Sequence, residues 1–307
     1  KPVYSVNYTG FVLGEKKEDV LSGAPKLTCG YNKGDDAADY TINVKKNKLD
    51  AANYRFSFVP GMLTVKKVIL DVRADDQSVN YGDAAPASYP VTITGYVGGQ
   101  NSSVLSGAPA VACTYSAGNG AGPYPITVAP GDLQATNYAF NFADGTLTVA
   151  KVALAVTADD AAVTYGADAP AFAVQYSGFV NSEDATVLGG KLSYSCGYKA
   201  GSPVRDYTIM PGGLSSSNYD LTFNPGTLKV GKAALTVTAE DKKVTFNDAP
   251  PAYSVSYGGF VAGDNASKLG GSLTFSCPYQ AGTAVGSYTI MPDGLSSGNY
   301  DISFKPG

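Results

Sequence analysis

The chain has 307 residues, of which 16% are charged, and its net charge is −4 with a pI near 4.9. It contains no histidine, which excludes Ser-His-Asp and Cys-His catalysis, zinc bound by histidine and histidine pH switches. No basic cluster stands out, so no nucleic-acid partner is expected. No apolar run approaches the ~18 residues of a membrane helix, so no membrane span is expected in this sequence.

A stretch at 145–170 recurs at 61–86 and at 226–250. Leu147 and Val149 alternate with threonines, and Leu154 and Val156 alternate with small residues after Lys151. A period of two predicts a half-buried strand, a short link and a second strand. One strand would close a folded unit and the next would open another, so the chain is predicted to be a tandem array.

The four cysteines recur at intervals of 84, 83 and 81 residues, and four Asn-Tyr pairs recur at similar spacing. We therefore predict four repeats of roughly 80 residues, at 1–66, 67–150, 151–231 and 232–307. Repeat 1 is expected to lack its N-terminal part, and repeat 4 its last strand. A module of this size can fold with a small core.

Within each repeat, chain order predicts six or seven short strands and one helical turn. A strand leads into a Gly-aromatic-Val corner, which is followed by a polar segment that ends in leucine. We expect the helical turn in that polar segment, with Ser182 and Asp264 as N-caps. Strands that carry the cysteine, a Tyr-x-Ile motif and the Asn-Tyr pair follow in turn.

Four segments together resemble the MBG-type repeats of bacterial surface proteins. They read ALTVTAEDKKVTFNDAP at 234–250, YSGFVNSED at 176–184, GSYTI at 286–290 and SSSNYDLTFNPGTLKV at 215–230. The resemblance implies a mainly β, tandem array of small β-rich modules. Each module would be β-grasp-like with one short helical turn, or alternatively an Ig-like β-sandwich. It also implies no enzymatic activity, and no catalytic residues are predicted.

The cysteines occur once per repeat, so a repeat cannot form an internal disulfide. Equivalent positions of neighbouring repeats would lie a domain apart, roughly 25–40 Å, whereas a disulfide needs Cα atoms within about 7 Å. Each cysteine lies on the apolar face of its strand. We therefore predict four reduced, buried thiols.

Acidic residues gather at the predicted joints and are candidate Ca²⁺ ligands, because calcium takes six to eight oxygen ligands. The alternative is that their side chains accept backbone N–H groups in turns. No other cofactor is expected. The candidate calcium ligands are Asp75, Asp76, Asp83, Asp159, Asp160, Asp168, Glu240, Asp241 and Asp248.

Two functions remain open. Repeats joined by nearly linker-free strands would form an extended stalk, or spacer, of an adhesin on the bacterial cell surface, with neighbouring repeats as the partners. Alternatively, the many tyrosines would form glycan- or mucin-binding patches that gain avidity from repetition. Because the tyrosines occupy the same alternating strand positions in every copy, core packing is the favoured interpretation of them.

Overall fold

A computed structural model of the chain describes residues 2–261 and 263–307. Lys1, the first residue of predicted repeat 1, and Ala262 lie outside the described residues. The described chain is mainly β, which confirms the predicted fold class. It divides into unit 1, which holds the residues up to Val79 together with Asp83–Ala150, and unit 2, which holds Asn80–Gly82 and Lys151–Gly307.

Repeats 1 and 2 contain short strands and one helical turn each. In repeat 1 the elements are α1 (Lys17–Val20), β1 (Lys26–Cys29), β2 (Asp39–Lys45) and β3 (Gly61–Thr64). In repeat 2 they are β4 (Val68–Ala74), β5 (Gln77–Asn80), β6 (Val91–Thr94), a 3₁₀ turn (Ser102–Val104), β7 (Ala110–Cys113), β8 (Gly122–Ala129), β9 (Tyr138–Ala143) and β10 (Gly145–Ala150).

Repeat 3 follows the same order of elements as repeat 2, and repeat 4 does so without counterparts of β5 and β10. In repeat 3 the elements are β11 (Val152–Ala158), β12 (Ala161–Thr164), β13 (Val174–Ser177), a 3₁₀ turn (Ala185–Val187), β14 (Gly189–Cys196), β15 (Asp206–Ser215), β16 (Tyr219–Asn224) and β17 (Gly226–Gly231). In repeat 4 they are β18 (Ala233–Ala239), β19 (Val255–Gly258), a 3₁₀ turn (Ala266–Lys268), β20 (Gly270–Ser276), β21 (Met291–Ser296) and β22 (Tyr300–Lys305).

Two mixed sheets build a complete repeat. In repeat 3 the first sheet has the order β13-β11-β16, and its central strand pairs antiparallel with β13 and parallel with β16. The second has the order β12-β17-β15-β14, in which β17 pairs parallel with β12 and antiparallel with β15. Repeat 2 has the same pair, β6-β4-β9 and β5-β10-β8-β7. The opening strand of each repeat is therefore central to one sheet, and the closing strand to the other.

The two outer repeats carry smaller sheets. The described part of repeat 1 has the single sheet β1-β2-β3, and repeat 4 has β19-β18-β22 together with the two-stranded β20-β21.

Alternation along the strands places one face of each sheet in the core, as the sequence predicts. Leu154, Val156 and Ala158 of β11 are buried, and so are Leu228 and Val230 of β17. The intervening residues are half-buried or exposed. A period of two thus gives repeats 2 and 3 an apolar interior between their two sheets.

The predicted helical turns are present, but their N-caps differ from the prediction. The residues whose side chains accept the capping N–H groups are Asn101, Asp184 and Asn265. Ser182 adopts a positive φ of 59°, and Asp264 accepts hydrogen bonds from tyrosines instead. The prediction for Ser182 and Asp264 was wrong because each turn begins one or two residues further along.

Leu147 on β10 is fully buried, whereas its neighbour Thr148 is exposed on the opposite face. We expect Leu147→Ala to lower the free energy of unfolding by about 2–5 kcal/mol, because a truncated core leucine leaves a cavity. Thr148→Ala is the control and should cost less than about 1 kcal/mol. Urea denaturation of both variants compares the two, and equal losses would mean that β10 does not anchor the core.

Candidate functional site

The tyrosine of each Asn-Tyr pair binds the Gly-aromatic-Val corner of its own repeat. In repeat 3 the Val180 backbone N–H donates to the Tyr219 hydroxyl at 3.0 Å, and in repeat 4 Val261 donates to Tyr300 at 3.1 Å. The same bond is present in the other two repeats. It joins Val12 to Tyr54 and Val97 to Tyr138. The Asn-Tyr strand is thereby tied to the corner in all four copies.

The same tyrosine hydroxyl donates to the side chain that lies three residues after the corner valine. Tyr219 donates to Glu183 at 2.6 Å, and Tyr300 donates to Asp264 at 2.9 Å. The counterparts in repeats 1 and 2 are Glu15, which accepts from Tyr54, and Gln100, which accepts from Tyr138. Each corner therefore presents a half-buried or exposed oxygen acceptor that is already held by one tyrosine.

In unit 2 a second tyrosine, from the preceding repeat, donates to the same carboxylate. Tyr165 of repeat 3 donates to Asp264 of repeat 4 at 2.8 Å, and its ring lies edge-on to that of Tyr300, with centroids 5.3 Å apart. Tyr165 is 5% exposed. One carboxylate thus joins consecutive repeats through two hydrogen bonds.

Tyr81 repeats this contact. Although it belongs to repeat 2 in sequence, it lies in unit 2. It donates to Glu183 at 2.6 Å, and its ring lies edge-on to that of Tyr219 at 5.6 Å. The two carboxylate oxygens of Glu183 each accept one tyrosine hydroxyl. Edge-to-face aromatic pairs of this kind are favourable.

A glycine follows each of these joint tyrosines, and the joint needs it. Gly166 has a φ of +85°, and a Cβ there would lie 2.3 Å from Cγ2 of Val261. Gly82 has a φ of +90°, and a Cβ there would lie 2.9 Å from Cγ2 of Val180. The left-handed turn favours glycine, and the absence of a side chain lets the corner valine of the next repeat come close.

The asparagine of the Asn-Tyr pair adds a second contact across the joint. Between repeats 3 and 4 the Val204 backbone N–H donates to Oδ1 of Asn299 at 3.0 Å. Between repeats 1 and 2, within unit 1, the Ala37 N–H donates to Oδ1 of Asn137 at 2.7 Å, and Nδ2 of Asn137 donates to Asp36 at 2.8 Å. The Asn-Tyr pair is therefore a docking element in which both side chains engage the joint.

The buried core of unit 2 is continuous through the joint of repeats 3 and 4. Ile209 and Leu228 of repeat 3 belong to one buried cluster with Leu235 and Tyr300 of repeat 4. Tyr165 is a member of the same cluster. The joint consists of apolar packing with hydrogen bonds at its margin, which resembles a domain interior more than a flexible linker.

The environment of the joint raises the pKa of its tyrosines. Burial, followed by the hydrogen bond to Asp264, raises the pKa of Tyr165 to about 12. Burial, followed by the hydrogen bond to Glu183, raises the pKa of Tyr219 to about 12. Burial disfavours the charged phenolate, and a neighbouring carboxylate repels it.

The predicted calcium ligands lie in the turns after the opening strands. Asp76 and Asp160 accept the backbone N–H groups of Thr146 and Thr227, at 2.8 and 2.7 Å. Asp248 accepts from the Thr245 N–H at 2.8 Å, which is a local turn contact, whereas the bonds of Asp76 and Asp160 join residues 70 and 67 positions apart.

The other candidate calcium ligands differ from one another in their hydrogen-bond partners and in their exposure. Asp159 accepts from Gln175, and Glu240 contacts Lys242 and Ser254. The others are Asp75, which is half-buried, and Asp83, Asp168 and Asp241, which are exposed. Among the described residues there is no group of three or more Cys, Asp or Glu side chains placed to hold a metal ion. Calcium binding stays a prediction.

The four cysteines form no disulfide, as predicted, but they are half-buried, and the prediction that they are buried was wrong. Cys29, Cys113, Cys196 and Cys277 lie on or next to the strand that faces the Tyr-x-Ile strand. These small strands leave one edge of each thiol open to solvent.

Sequence reasoning missed the carboxylates that receive two tyrosines. Glu183 and Asp264 lie inside the polar segment, which was interpreted only as a helical turn. Two signals in the sequence could have identified them. An acidic or amide residue follows each corner valine by three positions, and a Tyr-Gly pair follows the second strand of repeats 2 and 3.

The fold defines the class of this protein, a tandem array of small β repeats, of which repeats 3 and 4 share a carboxylate. The chain belongs to the MBG domain (YGX type) family, which matches residues 1–64, 70–148, 154–229 and 235–307. Tyr81-Gly82-Asp83 and Tyr165-Gly166-Ala167 are the Tyr-Gly-x sequences at the joints of unit 2. A search of curated proteins finds no match.

Two solved structures align with low scores. Drosophila N-cadherin EC1-4 is 8% identical over 95% of this chain and 91% of that chain, with a TM-score of 0.23. The three N-terminal domains of the Hoc protein of bacteriophage RB49 are 10% identical over 88% and 80%, with a TM-score of 0.20. Scores this low carry no argument about fold or function.

In the part of the chain that the structure describes, no helix has the length and apolarity to cross a membrane.

We expect Gly166→Ala to destabilise the docking of repeat 4, because the new methyl group would overlap Val261. Gly118 is the matched control, since it has a similar φ of +92° and open space around its Cβ position. Both changes carry the backbone cost of a non-glycine residue in the left-handed region, about 1 kcal/mol. In urea denaturation Gly166→Ala should cost more than Gly118→Ala, and equal costs would contradict the close approach.

The raised tyrosine pKa values predict a loss of stability at high pH. Because Tyr165 and Tyr219 have folded pKa values of about 12 against about 10 when unfolded, their contribution is complete below pH 10. It is lost as the pH rises from about 10 through 12. Thermal unfolding followed by circular dichroism between pH 9 and 12 should show this decline, and Tyr165→Phe should make it shallower. An unchanged slope in that variant would show that Tyr165 does not contribute.

Proposed function

We propose that this chain is a non-catalytic spacer, a segment of the extended stalk of an adhesin on the bacterial cell surface. The observation that carries the proposal is the carboxylate shared by tyrosines of consecutive repeats, at Glu183 and at Asp264. A stalk must resist bending between its modules. Hydrogen bonds and packing that fix each module to the next supply that resistance.

The short connection between repeats supports the same function. β17 ends at Gly231 and β18 begins at Ala233, so Lys232 alone separates the two strands. Its Nζ donates to the Ser297 carbonyl at 2.9 Å, which ties the connection to repeat 4. A single restrained residue leaves little freedom for reorientation, in contrast to a Gly/Ser-rich linker.

The side chains at the joint are engaged with one another, which supports a structural role over a catalytic one. Tyr165, Tyr300 and Asp264 form one hydrogen-bonded group inside the interface of two repeats. A general acid or base would need access to a substrate proton. The membership of this chain in a repeat family agrees with a structural role.

The burial of the aromatic side chains favours the spacer over the glycan-binding alternative. All 22 tyrosines are buried or half-buried, and of the 12 phenylalanines Phe246 alone is exposed. A patch that stacks on sugar rings would need exposed aromatic faces repeated in each copy. The tyrosines instead form core contacts and joints.

Small-angle X-ray scattering tests the proposed function directly. Four modules of roughly 30–40 Å placed end to end would span about 120–160 Å, with a radius of gyration of about 35–45 Å. A compact domain of this length would have a radius of gyration of about 19 Å. The spacer predicts the larger value, and a value near 19 Å would overturn it.

A glycan array separates the spacer from the binding alternative. The spacer predicts signals at background for the intact chain. Reproducible binding to one class of glycan, lost on substitution of a residue repeated in every copy, would favour the alternative instead.

A further inference from the structure

Repeat 4 differs from repeats 2 and 3 at the position of the Tyr-Gly pair. Where those repeats have Tyr81-Gly82 and Tyr165-Gly166, repeat 4 has Phe246-Asn247. In repeats 2 and 3 the pair follows the second strand, β5 or β12, and its tyrosine contacts the next repeat. Two residues that the joint uses are therefore both replaced in one copy.

The turn itself is unchanged. Asn247 adopts a φ of +75°, close to the +85° of Gly166, and asparagine tolerates this region better than most residues. Tyr279 donates to the Asp248 carbonyl at 2.9 Å, as Tyr198 donates to the Ala167 carbonyl in repeat 3. The replacements thus keep the backbone in the joint geometry and change the side chains that it presents.

The first replacement removes the hydrogen-bond donor. Tyr165 donates its hydroxyl to Asp264 and is 5% exposed. Phe246 has no hydroxyl and cannot make this bond. A carboxylate that packed against Phe246 would lose its hydrogen bonds to water and would gain no hydrogen-bond donor in exchange, which is unfavourable.

The second replacement adds side-chain atoms at a position where the joint of repeats 3 and 4 leaves no room for a Cβ. A Cβ at Gly166 would already lie 2.3 Å from Cγ2 of Val261. Asn247 carries a Cβ and an amide beyond it at the equivalent position. A corner valine of a following repeat could not approach Asn247 as Val261 approaches Gly166.

We infer that the Tyr-Gly turn of one repeat and the corner of the next repeat form two matched surfaces. The turn supplies the hydroxyl donor, and the corner supplies the valine and the carboxylate acceptor. We infer further that repeat 4, with Phe246 and Asn247, presents an end surface that does not accept an MBG repeat through this joint. A repeat attached there reorients freely, so the position acts as a hinge in an otherwise docked array. The inference concerns the joint alone and is independent of the proposed spacer function.

The register of repeat 4 makes a direct test possible. Ile290 and Gly307 exchange two backbone hydrogen bonds, and Ile209 pairs with Gly226 in the same way. Joining a second copy of residues 227–307 after Gly307 therefore adds a closing strand to repeat 4 and a fifth repeat behind it. The joint to be measured is then Phe246-Asn247 against the corner of the added copy.

The experiment compares this five-repeat chain with its F246Y/N247G variant. Single-molecule energy transfer between dyes on repeat 4 and on the added copy, attached through unnatural amino acids, reports their relative motion. We expect a broad distribution of dye-to-dye distances in the chain with Phe246-Asn247 and a narrow distribution in the F246Y/N247G variant. An equally narrow distribution in the Phe-Asn chain, or an equally broad one in the Tyr-Gly variant, would overturn the inference.

The reciprocal change tests the same rule in the natural chain. Y165F/G166N places the residues of repeat 4 at the joint of repeats 3 and 4, and it should broaden the distribution between those two repeats. Gly118→Asn is the control, because it places asparagine in an open left-handed turn away from any joint. It should leave the distribution unchanged, and a narrow distribution in Y165F/G166N would contradict the matched surfaces.

Discussion

Repeats 3 and 4 depend on one interaction, a carboxylate that accepts hydroxyl groups from tyrosines of both repeats. Asp264 lies between Tyr165 and Tyr300, and Glu183 lies between Tyr81 and Tyr219. An acceptor that is partly withdrawn from water gains much from donors and loses much without them. Because tyrosines of two repeats bond to the same carboxylate, the structure of each repeat around that carboxylate depends on the position of its neighbour.

Everything else at the joint supports that contact. Gly166 allows Val261 to approach, Asn299 holds the loop at Val204, and the core clusters of repeats 3 and 4 merge around Tyr165. The sequence elements that recur in this chain are therefore of two kinds. Alternating strand residues build each repeat, while the Tyr-Gly turn, the corner and the Asn-Tyr pair connect it to the next.

The strands and the array could be predicted from the sequence because a period of two and a repeat of about 80 residues are local and regular signals. The burial of Leu154 and Val156 follows directly from that period. The joint could not be predicted in the same way, because Tyr165 and Asp264 are 99 residues apart and their contact depends on how two repeats dock. The predicted calcium ligands include Asp160, whose carboxylate accepts the backbone N–H of Thr227 on β17, but not Asp264.

A double-mutant cycle on Tyr165 and Asp264 tests the central claim most directly. Urea unfolding of the parent chain, Tyr165→Phe, Asp264→Ala and the double variant isolates the coupling between the two side chains from the bond that Asp264 makes with Tyr300. The shared-carboxylate account predicts a favourable coupling of about 1–3 kcal/mol, the range for a hydrogen bond to a charged group. Additive effects, with a coupling below about 0.3 kcal/mol, would show that the two repeats are held together by something else.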